Sequence, residues 1–154
     1  MTPSSVCFRA TGDSSRTFTT PTSGDVITFK LVYQSGYVQC APGYQSHWGC
    51  RHPNVPPEHE LGTYITDSQK NRLLPKEEFL AEPESGDCVF RIYYRLIGLN
   101  PDSPELLFDN FTIPLHVSAG EQFQIWFAED LTRCKDHDNS DLGQTCAEVY
   151  GLFV

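Results

Sequence analysis

Basic residues are scarce in this sequence. Its 154 residues contain 11 lysines and arginines against 20 aspartates and glutamates, which gives a formal net charge of −9. Nucleic acids and anionic membranes are bound mainly through clusters of Lys and Arg. The charge therefore disfavours both as partners, and it suits cations and uncharged ligands.

Long hydrophobic runs are also missing. No stretch approaches the roughly 20 apolar residues that cross a bilayer as a helix, so we expect no membrane insertion. The opening MTPSSVCFRATG has neither the basic nor the apolar region of a signal peptide. A secreted form of the chain would therefore have lost its signal already.

Most catalytic signatures are absent as well. The sequence has no GxSxG elbow, no phosphate loop, no dinucleotide fingerprint and no CxxC pair. Paired carboxylates for glycoside hydrolysis could come from Glu129 and Asp130 together with Glu58 or Glu60, but adjacent strand residues face opposite ways. We therefore expect a binding protein rather than an enzyme.

Strand patterns dominate what the sequence does contain. Hydrophobic and polar residues alternate over 25–34, 88–97 and 121–130, and the only helix candidate is PKEEFLAE at 75–82. Weaker strand signals lie near the N-terminus, at 16–20, 62–66, 105–108 and 113–117, and at the C-terminal end. These patterns predict an all-β fold: one antiparallel, jelly-roll-like β-sandwich domain over 1–154, stapled by disulfides, with at most one short helix.

The cysteines favour an oxidised, extracellular protein. Their number is six, in a short acidic chain rich in Pro and Gly. Short loops close most easily, so we predict the pairs Cys40–Cys50 and Cys134–Cys146, which leaves Cys7–Cys88. Reduced thiols in a core are the alternative. The sequon Asn110-Phe111-Thr112 predicts a glycan on Asn110.

An acidic segment, CKDHDNSDLGQTC at 134–146, is the first candidate site. Calcium takes six to eight oxygen ligands, and this region could offer them from Asp136, Asp138, Asn139 and Asp141, with Glu129 and Asp130 upstream. The sixth and twelfth positions counted from Asp136 are not the Gly and Glu of an EF-hand. An irregular Ca²⁺ site and an empty solvated turn remain the two interpretations.

A histidine-rich segment, 40–60, is the second candidate. His47, Cys50, His52 and His59 are zinc-ligand types, but their spacing matches neither HExxH nor a zinc finger, and the predicted disulfide would occupy Cys50. The alternative is an exposed loop in which Trp48 packs inward.

An outward sheet face is the third candidate. The alternation places Trp126 beside Gln122 and Gln124, and Tyr93 between two arginines. Sugars bind by stacking a ring face on an aromatic side chain while hydroxyls meet planar polar groups. The predicted ligand-binding residues are Trp126, Tyr150, Trp48, Tyr93 and Gln124. The alternative is that Trp126 is covered by the 40–60 loop or lies inside the sandwich.

Together these observations favour a secreted, non-catalytic, calcium-dependent, lectin-like carbohydrate-binding protein. An extracellular structural or interaction protein that binds calcium only for stability is the alternative, and a glycoside hydrolase is the third. The expected partner is a carbohydrate or glycoprotein, not a nucleic acid, and a homo-oligomer remains open.

Overall fold

A computed structural model describes residues 4–10, 16–53, 55, 58–80, 93–127 and 142–154. Their regular structure consists of ten strands and one short 3-10 helix, Glu77–Phe79. No helix among them is long and apolar enough to cross a membrane. The strands are β1 Ser4–Arg9, β2 Arg16–Thr19, β3 Gly24–Gln39, β4 Gln45–Ser46, β5 Thr63–Asp67, β6 Arg72–Leu74, β7 Glu105–Leu107, β8 Leu115–Val117, β9 Gln122–Phe127 and β10 Leu142–Phe153.

The strands form two antiparallel sheets. The first has the order β1-β10-β3-β4, with β7 and β8 also paired to β3, and the second has the order β2-β9-β5-β6. Aromatic rings join the layers, because Phe29 of β3 lies 5.5 Å from the rings of both Phe18 and Phe123. The predicted all-β antiparallel sandwich is confirmed.

Alternation explains the long strand β3. Phe29 and Leu31 are buried in the core, as the pattern predicts. Thr28 should face outward but is also buried. Its hydroxyl donates to the carbonyl oxygens of Phe108 and Asp109, at 3.2 and 2.8 Å, because the segment after β7 folds over this part of the sheet.

The strand predicted over 88–97 is wrong where the structure describes it. Consecutive residues Tyr93 and Tyr94 are both fully buried, which a half-exposed strand does not allow. Tyr94 makes only isolated bridges, to Leu61 and Leu80. Residues 88–92 lie outside the described residues. The helix predicted over 75–82 is reduced to the single 3-10 turn.

The disulfides partly match the prediction. Cys40–Cys50 is confirmed. Cys7 pairs with Cys146, not with Cys88, because β1 and β10 run antiparallel in a register that places these two cysteines directly opposite each other. The predicted Cys134–Cys146 bridge is therefore also wrong, and the acidic segment is not closed by its own disulfide. Cys88 and Cys134 lie outside the described residues.

Candidate functional site

A pocket of about 280 Å³ opens between two segments that follow the Cys40–Cys50 loop and precede β7. We call it the loop pocket. Ligand pockets typically start near roughly 300 Å³, so this one suits a single small ring. Its lining residues are Glu58, Glu60, Leu61, Arg95, Leu96, Gly98, Leu99, Asn100 and Pro101.

The first wall, 58–61, is positioned by the disulfide-closed loop. The backbone N–H of Cys50 donates to the carbonyl oxygen of Glu60 at 2.8 Å, and Gly49 bridges to Leu61. A Cβ at Gly49 would lie only 1.8 Å from the Glu60 oxygen, so only glycine allows this close approach. The Cys40–Cys50 bridge thus fixes a segment that continues directly into the pocket wall.

The second wall, 95–101, is held by Trp48. The Trp48 backbone N–H donates to Pro101 O at 3.0 Å, and its indole Nε1 donates to Ser103 O at 2.7 Å. The two walls also meet through Leu61 and Tyr94, which exchange backbone hydrogen bonds of 3.1 and 2.9 Å. Trp48 therefore acts as a buried support that sets the position of the second wall.

Charged and amide groups line the pocket. Arg95 Nη1 lies 2.6 Å from Glu58 Oε2, and both side chains are about half exposed or more. The Oδ1 atom of Asn100 accepts from the Asp102 backbone N–H at 2.8 Å and from Arg51 Nη2 at 3.2 Å. Within the described part of the chain, Asn100 Nδ2 and the Glu60 carboxylate have no partner. The pocket thus offers a free amide donor on Asn100 and a free carboxylate acceptor on Glu60.

Glu58 adopts an unusual backbone conformation. Its φ is 68°, in the left-handed region that glycine and asparagine prefer. A non-glycine residue there costs on the order of 1 kcal/mol, and such costs concentrate at binding sites. The conformation brings the Glu58 carboxylate to Arg95 across the pocket.

Three of the aromatic residues predicted to stack on a ligand are buried: Trp48 and Tyr93 at 0% exposure and Trp126 at 1%. The expected outward exposure of Tyr93 and Trp126 is therefore wrong. Trp126 does share a face with Gln124, since its Nε1 donates to Gln124 Oε1 at 3.1 Å and to Thr66 Oγ1 at 3.2 Å. The Trp126 ring is nevertheless buried, so these three rings offer no open surface for stacking.

Tyr150 and Gln124 are partly exposed but lie in different sheets. The Tyr150 hydroxyl donates to Glu148 Oε2 at 2.8 Å, and this hydrogen bond raises the pKa of Tyr150. Lys30 Nζ lies 5.4 Å from the Tyr150 ring centre. The predicted ligand-binding residues therefore do not form one site.

The six residues predicted to bind calcium, 129, 130, 136, 138, 139 and 141, lie outside the described residues. In the histidine-rich segment, Cys50 is oxidised and cannot ligate zinc. His47 stacks on Tyr33, with ring centres 3.5 Å apart. Across the described ranges, no three His, Cys, Asp or Glu side chains are grouped for a metal ion.

Sequence reasoning missed the loop pocket as a unit. Glu58 and Glu60 enter the sequence analysis only as possible carboxylates for glycoside hydrolysis, and Asn100 lies in the segment GLNPDSP, 98–104, which has the composition of a turn. That turn is an Asx turn closed by the Asn100 side chain, which a local pattern can indicate. No local pattern could join Glu58 to Arg95, because their contact depends on the tertiary fold.

Comparison with known proteins gives one informative likeness. The structure resembles AJLec, a lectin from the sea anemone Anthopleura japonica, with a TM-score of 0.84 and 28% sequence identity. The match covers 100% of this chain and 94% of AJLec. No protein-family profile matches the chain, and no curated protein sequence matches it. The fold described above is therefore lectin-like.

Proposed function

We propose that this chain is a secreted, non-catalytic protein that binds carbohydrate with the help of calcium. The likeness to AJLec over the whole chain carries the proposal, since it extends to sequence identity as well as to fold. A pocket lined by carboxylate, guanidinium and amide groups supports it, because these planar polar groups suit sugar hydroxyls. Two disulfides are consistent with an extracellular location.

Calcium enters the proposal from the sequence of the acidic segment. Asp136, Asp138, Asn139 and Asp141, with Glu129 and Asp130, supply the hard oxygen ligands that calcium prefers. Carboxylates so close in sequence repel one another unless a cation neutralises them. A bound Ca²⁺ would keep some coordination positions for sugar hydroxyls.

Calorimetric titration with CaCl₂, followed by glycan-array binding with and without a chelator, tests the proposal. We expect calcium heat and a glycan signal that falls in chelator. The paired replacement Asp136→Asn and Asp138→Asn should remove the calcium heat. Asp25→Asn is the control for loss of an exposed carboxylate, because Asp25 lies on β3 and contacts His116 at 2.8 Å. Absence of both calcium heat and glycan signal refutes the proposal.

An extracellular interaction protein is the second candidate. The outer face of the first sheet carries half-exposed apolar side chains, with Leu107 at 45% and Leu152 at 38% exposure, near Tyr150. Such a face suits contact with another protein. This candidate predicts that a chelator lowers the melting temperature while no glycan binds. A glycoside hydrolase would instead cleave the bound glycan, and free sugar would then be found in the solution eluted from the same array.

A further inference from the structure

We infer that the loop pocket binds one uncharged sugar residue without a metal ion and rejects sugars that carry a negative charge. The inference rests on the proposed carbohydrate-binding function and assigns to it a site separate from the acidic segment. The juxtaposition of Glu58, Glu60, Arg95 and Asn100 around a small cavity carries it.

The pocket combines a polar rim with aliphatic surface. The cavity of about 280 Å³ has room for one pyranose ring but not for a chain of them. Its apolar lining consists of Leu61, Leu96, Leu99 and Pro101. Sugar rings present C–H groups on their faces and hydroxyls at their edges, so this division between aliphatic and polar lining fits one ring.

Both walls of the loop pocket carry groups that can form hydrogen bonds to a bound sugar ring. Asn100 Nδ2 can donate, because only the Oδ1 atom of this side chain is engaged within the described residues. Arg95 has five N–H donors, and its contact to Glu58 is through Nη1. The Glu60 carboxylate is free to accept. Adjacent sugar hydroxyls both donate and accept, so they can use these groups together without a metal ion.

Charge sets the selectivity. Arg95 is neutralised by Glu58, and Arg51 by Asp102, at 2.6 and 2.8 Å. Glu60 therefore remains as one uncompensated negative charge in the lining, on a protein whose net charge is −9. A carboxylate or sulfate on a sugar would be repelled at short range by Glu60. Uncharged sugars avoid this repulsion.

Two nearly isosteric variants test the inference in excess chelator. Asn100→Asp keeps the Oδ1 acceptor of the Asx turn but removes the Nδ2 donor, so we expect neutral-glycan affinity to fall about tenfold or more. Glu60→Gln keeps the shape and removes the charge, so we expect acidic glycans to gain about tenfold relative to neutral ones. Glu105→Gln is the matched control for Glu60→Gln, because it makes the same charge change at an exposed position of β7.

The outcomes separate this inference from the proposed function. If the unmodified protein binds glycan only with calcium, or if it binds in chelator but both pocket variants behave like Glu105→Gln, the pocket is not the site, and the inference is overturned while the function stands. If the unmodified protein binds no glycan with calcium or with chelator, the proposed function fails, and the inference fails with it. Thermal melting confirms that each variant is folded.

Discussion

Removing, one at a time, the two disulfides found among the described residues should separate stability from ligand binding. Cys7–Cys146 joins residues 139 positions apart, whereas Cys40–Cys50 joins residues only 10 apart. The first bridge links the neighbouring strands β1 and β10, and the second closes the loop that positions the wall of the loop pocket. The perturbations are the double replacements Cys7→Ser with Cys146→Ser, and Cys40→Ser with Cys50→Ser.

The magnitudes follow from the lengths of the closed loops. A crosslink lowers the entropy of the unfolded chain by an amount that grows with the logarithm of loop length. For the separations of 139 and 10 residues this gives about 5 and about 3 kcal/mol at room temperature. We therefore expect the Cys7–Cys146 variant to lose about 2 kcal/mol more of its free energy of unfolding.

Urea unfolding measures the free energy of unfolding of each variant. Glycan titration in chelator measures the ligand affinity. Ligand affinity should show the opposite order, because only Cys50 is bonded directly to the pocket wall, through Glu60 O. The Cys40–Cys50 variant should bind glycan more weakly while it remains folded. A larger loss of stability from removing Cys40–Cys50 would refute the loop-length reasoning, and unchanged affinity would refute the role of this bridge in the pocket.

Three further results are expected. Trp48→Phe leaves Ser103 O without its indole donor, so we expect a loss of about 1–3 kcal/mol in unfolding free energy and weaker glycan binding, whereas Trp126→Phe should affect stability alone. Burial raises the pKa of the Asp109 carboxyl in the folded protein. The stability that this carboxyl contributes is therefore fully present below its pKa in the unfolded chain, and it is lost as pH rises through its pKa in the folded protein. The stability of Asp109→Asn relative to the unmodified protein should therefore increase as pH rises through that window in urea titrations, and a flat difference would contradict this. Asn110 is exposed between β7 and β8, so a host that glycosylates proteins should add a glycan there. Mass spectrometry should show an added mass that N-glycosidase removes, and Asn110→Gln should lack it.

Local patterns predicted β3 and β9 well because each of these strands buries one face along part of its length. Phe29 and Leu31 are core residues on the side that alternation indicates, and Phe123 and Ile125 of β9 behave in the same way. The patterns failed where a second layer covers a surface. Trp126 lies on the same face as Gln124, as predicted, but its surroundings close over it, which no alternation can reveal.

Pairings between distant residues were the least predictable features. Short loop length favoured a local partner for Cys146, yet strand register placed Cys7 opposite it. The same limit applies to the loop pocket, because the contact between Glu58 and Arg95 depends on how Leu61 and Tyr94 meet. Sequence separation predicts the cost of closing a loop but does not indicate which distant strands will become neighbours.

The pairing of β3 with β10 also sets the time at which the fold can be completed during synthesis. Gln39 pairs with Leu142 and Val26 with Phe153, so the partner strand β10 is synthesised more than 100 residues after β3. At about 5–20 residues per second, the ribosome needs roughly 5 to 25 s to supply it. Throughout that interval a 16-residue strand has one hydrogen-bonding edge unpaired, a surface prone to pairing with other chains. The nascent chain should therefore depend on chaperones until β10 emerges.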